Sequence, residues 1–470
     1  MDKQDVRKDH VDFGDDMDIL VRSTGRISVL DQNFGALVGA GIPFFGVGGG
    51  ILRWVLYQIL TDFHAQRGYH VVMTPAVAST QLFAISGHLE FYRENMYIFK
   101  IEDHEFAIKP MNCPFHVLLL MNLLQKYREK VPLPFRMFEL GQVHRYEISG
   151  ALYGLLRVRE FTQDDAHIFS PSENTEDEIL KTVEEMREIY EKVFQIPINA
   201  ENIKLRLSMS DPDKIGTDYI GTKEQWEEAE EYLRSVAEKI HRKHGIEYFE
   251  GRGEAAFYGP KLDMVLNLED IGEWQLGTVQ FDFNLPYRFK LAELVSKIRG
   301  EDIPMYMVHR AYLGSIERFI GVYLDYRKGR LPIVLNPVQV LLVGVLSGSE
   351  VDKKIRSTIT KLRDTLVAAG IRAVSLFVDK VRVGKYVRKI ESTVRPSVQV
   401  FVGARELESG ETGIKYYNLY ERQYLQKRER FADVAELAQA VLDVVEELEE
   451  PVRELTGKEY RIYEDLSYML

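Results

Sequence analysis

The chain has 470 residues, with 60 lysines and arginines against 72 aspartates and glutamates and a formal net charge of −12. That balance excludes a surface coated in positive charge, so any nucleic-acid contact must use local patches. A single cysteine excludes an internal disulfide and fits a reducing cytoplasm. The start, "MDKQDVRKDHVDFGDDMDIL", lacks the apolar core of a signal peptide. The apolar stretch "PFFGVGGGILRWVL" is glycine-broken and shorter than the roughly 18 residues of a membrane span. A cytoplasmic, non-membrane protein of about two to four domains is expected.

In chain order, Ile51, Leu52, Val55, Leu56, Ile59, Leu60 and Phe63 recur at helical spacing, and Gly68 stops that helix. "YHVVMTP" reads as a strand ending at Pro75. "MYIFKI" and "HEFAIKP" read as strands before the helix "FHVLLLMNLLQKYREK". "FRMFELGQVHRYE" and "LRVREFTQDDAHIF" read as two strands joined by the glycine-bearing "ISGALYG". Amphipathic helices follow at Ser172 to Phe194, acidic in its first turns, and at Thr222 to His244, closed by Gly245. "AAFYGPKLDMVLNL" and "EWQLGTVQFDFNL" read as strands, and "AYLGSIERFIGVYLDYRKG" as a helix. The texture changes at Pro332 and Pro337. "VQVLLVGVL" is the continuous apolar run of a strand buried on both faces. A helix from Val351 to Ala369, strands "IRAVSLFV" and "VQVFVG", and a helix from Ala432 to Leu448 complete a separate small α/β domain, with a boundary near residue 335.

The run "GVGGG" before the first helix lacks the Lys-Ser/Thr of a P-loop and reads as a flexible turn. In "KPMNCPFH", Cys113 has three readings: a small buried hydrophobe, a nucleophile with His116 as base, or one half of a C-x-x-H metal site whose second half is missing. Spacing alone leaves these open. Arg145, Arg157 and Arg159 stand near Glu147 and the Asp164–Asp165 pair on what read as adjacent strands. Residues two apart on a strand share a face, so Arg145 would point with Glu147, and Gln163 with Asp165 and His167. Guanidiniums at that density suit phosphates; a solvated, salt-bridged sheet edge is the alternative.

Together "KPMNCP", "HRYEISGALYGLLRVREFTQDDAHIF", "YGPKLD", "WQLGTVQFDF" and "HRAYLGSIERFIG" resemble, in order and over residues 50–335, the catalytic core of the threonyl-tRNA synthetase family of class II aminoacyl-tRNA synthetases. The likeness continues more loosely to residue 448. It implies an α+β fold, with an antiparallel sheet flanked by helices and then a small α/β anticodon-binding domain over 336–450. Residues 1–49 would be an N-terminal extension and 451–470 a tail. It also implies ATP-dependent formation of threonyl-adenylate and transfer of threonine to the 3′ end of its tRNA, with Mg²⁺ accompanying ATP.

By the same resemblance, Arg145 meets the α-phosphate and the threonine carboxylate, and Arg318 the γ-phosphate with help from Arg157. Glu147 meets the adenine amino group and Phe161 stacks on the ring. Gln163, Tyr258, Lys261, Gln275, Gln280, Met111 and Ser315 line the site, and His88 approaches the terminal ribose, a surface histidine being its alternative. Cys113 would hold one active-site zinc per subunit with His167 and His309, leaving an open position for the threonine amino and hydroxyl groups while Asp165 accepts from the hydroxyl. His116 would then have no metal role. In the C-terminal domain, Glu406, Lys415 and Arg388 of the basic "KVRVGKYVRK" region match anticodon-proximal positions; Lys415 stands where the family usually has arginine. The first class motif, closed by Pro75, implies a homodimer. Only about 50 residues precede that motif, so an editing domain is not expected. Mischarging with serine and a separate trans-editing protein are. The rivals are a non-catalytic RNA-binding paralogue, which should have lost a motif arginine or zinc ligand, and a serine or proline synthetase of the same class.

Overall fold

The computed structural model describes residues 38–462 except 200–201, 269–271 and 382. Most of the expected N-terminal extension and the last eight residues of the tail lie outside the described residues. In chain order the first strands are β1 (His70–Val71), β2 (Val77–Ser79), β3 (Tyr97–Ile101), β4 (His104–Ile108), β5 (Phe135–His144) and β6 (Glu160–Pro171). Then come β7 (Ile203–Met209), β8 (Glu247–Arg252), β9 (Lys261–Leu268), β10 (Gly272–Asp282) and β11 (Met305–Ser315). β2, β4 and β3 form a small sheet, and the other eight form one large sheet in the order β1-β5-β6-β11-β10-β9-β7-β8. Its interior pairings are antiparallel, while each edge adds a parallel pair, β1 with β5 and β8 with β7.

The helix Val47–Gln66 packs Val55, Leu56, Ile59, Leu60 and Phe63, all at most 1% exposed, into the large core, which is why those residues recur every three or four positions. Arg67 and Gly68 end it, Gly68 at φ +79°. The helix Lys223–His244 carries the full set of end signals: a Thr222–Gln225 capping box and Gly245 in the left-handed region.

Five expectations change. The "GVGGG" run, expected as a flexible turn, forms the cap and first turn of the helix Val47–Gln66. The helix expected over Ala311 to Gly329 begins only at Ile316, because Ala311, Tyr312 and Leu313 are buried in the central strand β11. The switch from strand to helix falls at Gly314, φ +68°, where a Cβ would lie 2.5 Å from the Leu276 carbonyl oxygen; Ser315 Oγ then caps the helix by accepting from the Arg318 amide at 3.2 Å. The strand expected from Tyr69 to Pro75 is reduced to a two-residue edge. β5 ends at His144, so Arg145 and Glu147 belong to the following loop and do not share a strand face. The helix expected to end at Leu448 runs from Val434 to Thr456 through Pro451 and is capped by Asp433.

The second sheet contains β12 (Val340–Leu346), β13 (Ala373–Asp379), β14 (Val398–Val402), β15 (Glu411–Asn418) and β16 (Gln423–Arg430), in the order β13-β12-β14-β15-β16. β12 is flanked on both sides by parallel partners and is almost wholly buried, as its apolar run requires. The helix Val383–Thr393 and the β15–β16 hairpin were not anticipated. After Thr456 the chain returns to the first helix: Lys458 Nζ lies 2.5 Å from Asp62 Oδ1, and Tyr460 donates to Asp62 Oδ2 at 3.1 Å.

Candidate active site and metal centre

β6 and β11 sit side by side in the middle of the large sheet, and their register places His167 directly opposite His309. The N-terminus of the helix Cys113–Tyr127 brings Cys113 to the same point. One donor atom from each of Cys113, His167 and His309 lies within 4.8 Å of the others, and all three residues are buried. The donors are sulfur and two imidazole nitrogens, the set a transition metal such as zinc prefers. His167 Nε2 and His309 Nδ1 face each other at 3.0 Å. The outer nitrogens are already engaged: His309 Nε2 donates to Asp282 Oδ2 at 2.7 Å, and His167 Nδ1 lies 2.7 Å from His116 Nδ1.

That arrangement constrains the protons. A carboxylate only accepts, so Asp282 draws the His309 proton to Nε2 and leaves a lone pair on Nδ1. If the His167 proton lies toward His116, two lone pairs meet across 3.0 Å, and a cation between them removes the conflict. Burial pushes the Cys113 thiol well above its usual range, aided by Asp165 and Asp282; burial, then His309 and His116, hold His167 well below its own. Both groups therefore sit neutral in the bare protein, and a bound metal would draw the thiolate out. The donor chemistry and the anchored outer nitrogens fit a metal. No hydrogen bond joins Cys113 to His116 among the described residues; its sulfur lies 3.7 Å from His88 Nε2, and His116 faces His167 instead.

Asp165 stands beside this centre, its Oδ2 accepting from Asn112 Nδ2 at 2.8 Å and its Oδ1 3.7 Å from His167 Nε2. Burial raises its pKa. Tyr258 packs its ring against His309 with centroids 4.8 Å apart, and Gln280, the neighbour of His309 on β10, donates to the Gly259 carbonyl at 2.9 Å. Gln163 lies across from Ser315 in the β6–β11 register. His88 is fully buried, which overturns the surface alternative; Nδ1 meets Ser86 Oγ at 2.9 Å and Nε2 meets Met111 Sδ at 3.1 Å. Burial, then the charges of His309, Arg145 and Arg288, lower its pKa to about 3, so its ring is neutral.

The arginines gather at the adjoining end of β6. Arg145 stacks over Phe161 at 5.0 Å and donates to the Pro110 carbonyl at 3.3 Å. Arg318 donates to the Leu156 carbonyl at 2.9 Å; burial, then the nearby charges of Arg145 and Arg157, lower its pKa. Three guanidiniums held this close repel one another and are satisfied by an anion with several oxygens. Arg157 meanwhile clasps Glu147 at 2.9 Å through Nε and Nη2, and Arg159 is turned away to backbone oxygens of Glu147 and Ala40. Gln275 and Lys261 converge on Asp263, which also receives Arg206, Ser208 and Thr278. The fully buried Asp263, which motif spacing did not single out, thus organises two of the site-lining residues.

In the second sheet, Lys415 Nζ meets Glu391 Oε1 at 2.5 Å and lies over the Tyr424 ring. Glu406 accepts from the Gly403 amide at 2.8 Å and caps its own short helix, and Arg388 is exposed on the helix Val383–Thr393. No helix among the described residues is long and apolar enough to cross a membrane.

Comparison with known proteins agrees with this geometry. Residues 97–327 match the class II tRNA synthetase core domain shared by the G, H, P, S and T enzymes. A threonine–tRNA ligase catalytic subunit from Aeropyrum pernix is 47% identical over 98% of this chain and 99% of its own length. The threonine–tRNA ligase of Synechococcus elongatus is 40% identical over 80% of this chain, which spans 60% of that longer relative. A crystal structure of a threonyl-tRNA synthetase from Aeropyrum pernix superposes with a TM-score of 0.91, covering 98% of this chain and all of that one. The chain belongs to the threonine–tRNA ligase family, the ATP-dependent class II aminoacyl-tRNA synthetases specific for threonine.

Proposed function

We propose that the buried centre selects threonine through a zinc ion held by Cys113, His167 and His309, beside an arginine cluster that activates ATP. The observation that carries this reading is the juxtaposition of the two: Arg145 donates to the carbonyl of Pro110, three residues before Cys113, while it also stacks on Phe161 at the arginine cluster. An amino acid at the metal therefore presents its carboxylate to the phosphate-binding side. The zinc, when bound, supplies a Lewis-acidic position that takes the amino and hydroxyl groups of threonine.

Asp165 accepts from the substrate hydroxyl, with Gln163, Tyr258 and Gln280 shaping the pocket. Arg145 bridges the threonine carboxylate and the α-phosphate, and Arg318 with Arg157 holds the γ-phosphate alongside Mg²⁺. Charge that builds on phosphorus during attack is met by donors already in place. The carboxylate attacks as an anion, so no general base is required. Glu147 and Phe161 hold adenine, with Met111, Lys261, Gln275 and Ser315 lining the remainder. His88, buried beside Cys113, is the residue we assign to the ribose hydroxyl proton in the transfer step.

Serine keeps the hydroxyl and lacks one methyl, worth only about 1–3 kcal/mol, so this centre charges serine onto threonine tRNA and correction comes from a separate protein. The Aeropyrum relative's designation as a catalytic subunit supports a divided enzyme. We assign residues 50–335 to catalysis and 336–450 to anticodon binding, where Glu406, Lys415 and Arg388 face the tRNA; residues 1–49 and 451–470 flank them. A homodimer is supported by the exposed apolar residues at and just after the β1 edge, Val71 at 49% and Met73 at 94%. Threonine-dependent ATP–pyrophosphate exchange, measured before and after zinc removal, tests the reading: loss on removal and recovery on readdition are expected, and indifference to zinc overturns it.

A further inference from the structure

Behind His167 lies a buried polar train that the adenylation chemistry does not use. His116 and Glu139 are 0% and 4% exposed, and Lys109 is 2%. His167 Nδ1 meets His116 Nδ1 at 2.7 Å, and His116 Nε2 faces Glu139 Oε1 at 3.4 Å. Glu139 accepts from the Thr74 hydroxyl at 2.7 Å and the Thr74 amide at 2.9 Å, with Lys109 Nζ at 3.4 Å. Three donors, the Thr74 hydroxyl and amide and the Lys109 ammonium, converge on the buried Glu139 carboxylate, so this end of the train presents an acceptor.

The Glu139 carboxylate can only accept, and it is the group that faces His116 Nε2, at 3.4 Å and short of a formed hydrogen bond. That placement favours a His116 proton on Nε2, which leaves the Nδ1 lone pair to accept from His167 Nδ1–H. His167 is thereby held in the tautomer whose Nε2 presents a lone pair toward Cys113 and His309. Asp282 does the same for His309 from the opposite side. His116 sits three residues after Cys113 on one helix, so a single helical turn delivers the thiol to the centre and the supporting imidazole to its rear. A buried histidine that only filled space would need no such alignment of acceptor and donor.

We propose that His116, anchored by Glu139, is a positioning residue that fixes the tautomer and ring orientation of His167 for metal binding. The proposal rests on the metal reading given above, and the experiment separates the two. Metal-free protein is titrated with Zn²⁺ against a chromophoric chelator and with Co²⁺, whose spectrum reports the ligand geometry. Wild type, His116→Phe and His116→Gln are compared, with the unfolding midpoint of each metal-free protein as control. His116→Phe retains volume and removes both nitrogens; His116→Gln retains an acceptor and a donor. His116→Phe is expected to weaken metal binding about 10- to 100-fold and to alter the Co²⁺ bands, and His116→Gln to recover most of both. Should the phenylalanine variant fail to fold, His116→Leu takes its place in the same comparison. Wild-type protein that binds no stoichiometric metal overturns the metal reading itself. Wild-type protein that binds, with the apolar variant equal to it in affinity and spectrum or the glutamine variant no better than the apolar one, overturns the positioning role alone.

Discussion

Asp282 Oδ2 accepts from His309 Nε2 at 2.7 Å, while Asp282 Oδ1 accepts from the amides of Asn284 and Leu285 at 2.7 and 2.9 Å. One buried carboxylate thus ties a candidate metal ligand to a backbone turn. Asp282→Ala should weaken metal binding about 10- to 100-fold and, by orphaning two amides, lower stability by about 1–3 kcal/mol. Metal titration and denaturant unfolding measure the two effects separately.

Cys113→Ser replaces a soft thiolate donor with a hydroxyl that stays protonated at neutral pH. Protein purified and dialysed under zinc-buffered conditions should hold less than stoichiometric zinc. Threonine-dependent pyrophosphate exchange should fall with it, both being read on the same sample. Full metal content with full exchange would remove Cys113 from the ligand set.

Among the described residues Arg145 donates to one backbone oxygen and otherwise lies over the Phe161 and Tyr92 rings, so its replacement should leave the fold standing. Arg145→Gln is expected to lower the exchange rate about 10²- to 10³-fold with an unchanged unfolding midpoint, the loss typical of one preorganised donor at a transition state. A change confined to the Michaelis constant for ATP would argue against a transition-state role.

A site built around a substrate hydroxyl should reject valine by ~10⁴–10⁵ and serine by far less. Pyrophosphate exchange with the three amino acids, followed by acid-gel analysis of threonine tRNA, gives the ranking threonine, serine, valine. Absence of seryl-tRNA with this chain alone would sink the divided-enzyme reading.

Arg310 is fully buried over the rings of Tyr312 and Tyr69, 3.8 Å from Asp164, whose carboxylate also accepts from the amides of Tyr312 and Leu313. Asp164→Ala would strand that guanidinium and both amides. A loss of about 3–5 kcal/mol in denaturant unfolding is expected.

Elements with end signals or a long period were legible in the chain: the Thr222–Gly245 helix, the first helix, and β12. The helix expected at Ala311 failed because a central strand buried on both faces carries no alternation, and only Gly314 marks the turn into the helix. The arginines and the Cys–His–His set could be assigned only through a family likeness, since β6, β11 and the helix after Asn112 meet in space and not in sequence. Asp282, Asp263 and Glu139 escaped notice for the same reason. They act across strands, where spacing along the chain has no meaning, and His116 was dismissed because its partner lies 51 residues away.

The contacts of Lys458 and Tyr460 with Asp62 make the molecule a closed loop in the mechanical sense. Gln66 adds to the latch by reaching the Thr456 carbonyl, and Lys192 by meeting Glu454 at 2.7 Å. The second sheet is therefore fastened by the peptide through Pro337, by this latch on the opposite end of its own chain, and by Arg327 and Arg330, which donate to the Leu419 carbonyl at 3.1 Å and the Tyr424 hydroxyl at 2.5 Å. A protease cut near residue 335 would therefore leave the halves bolted together.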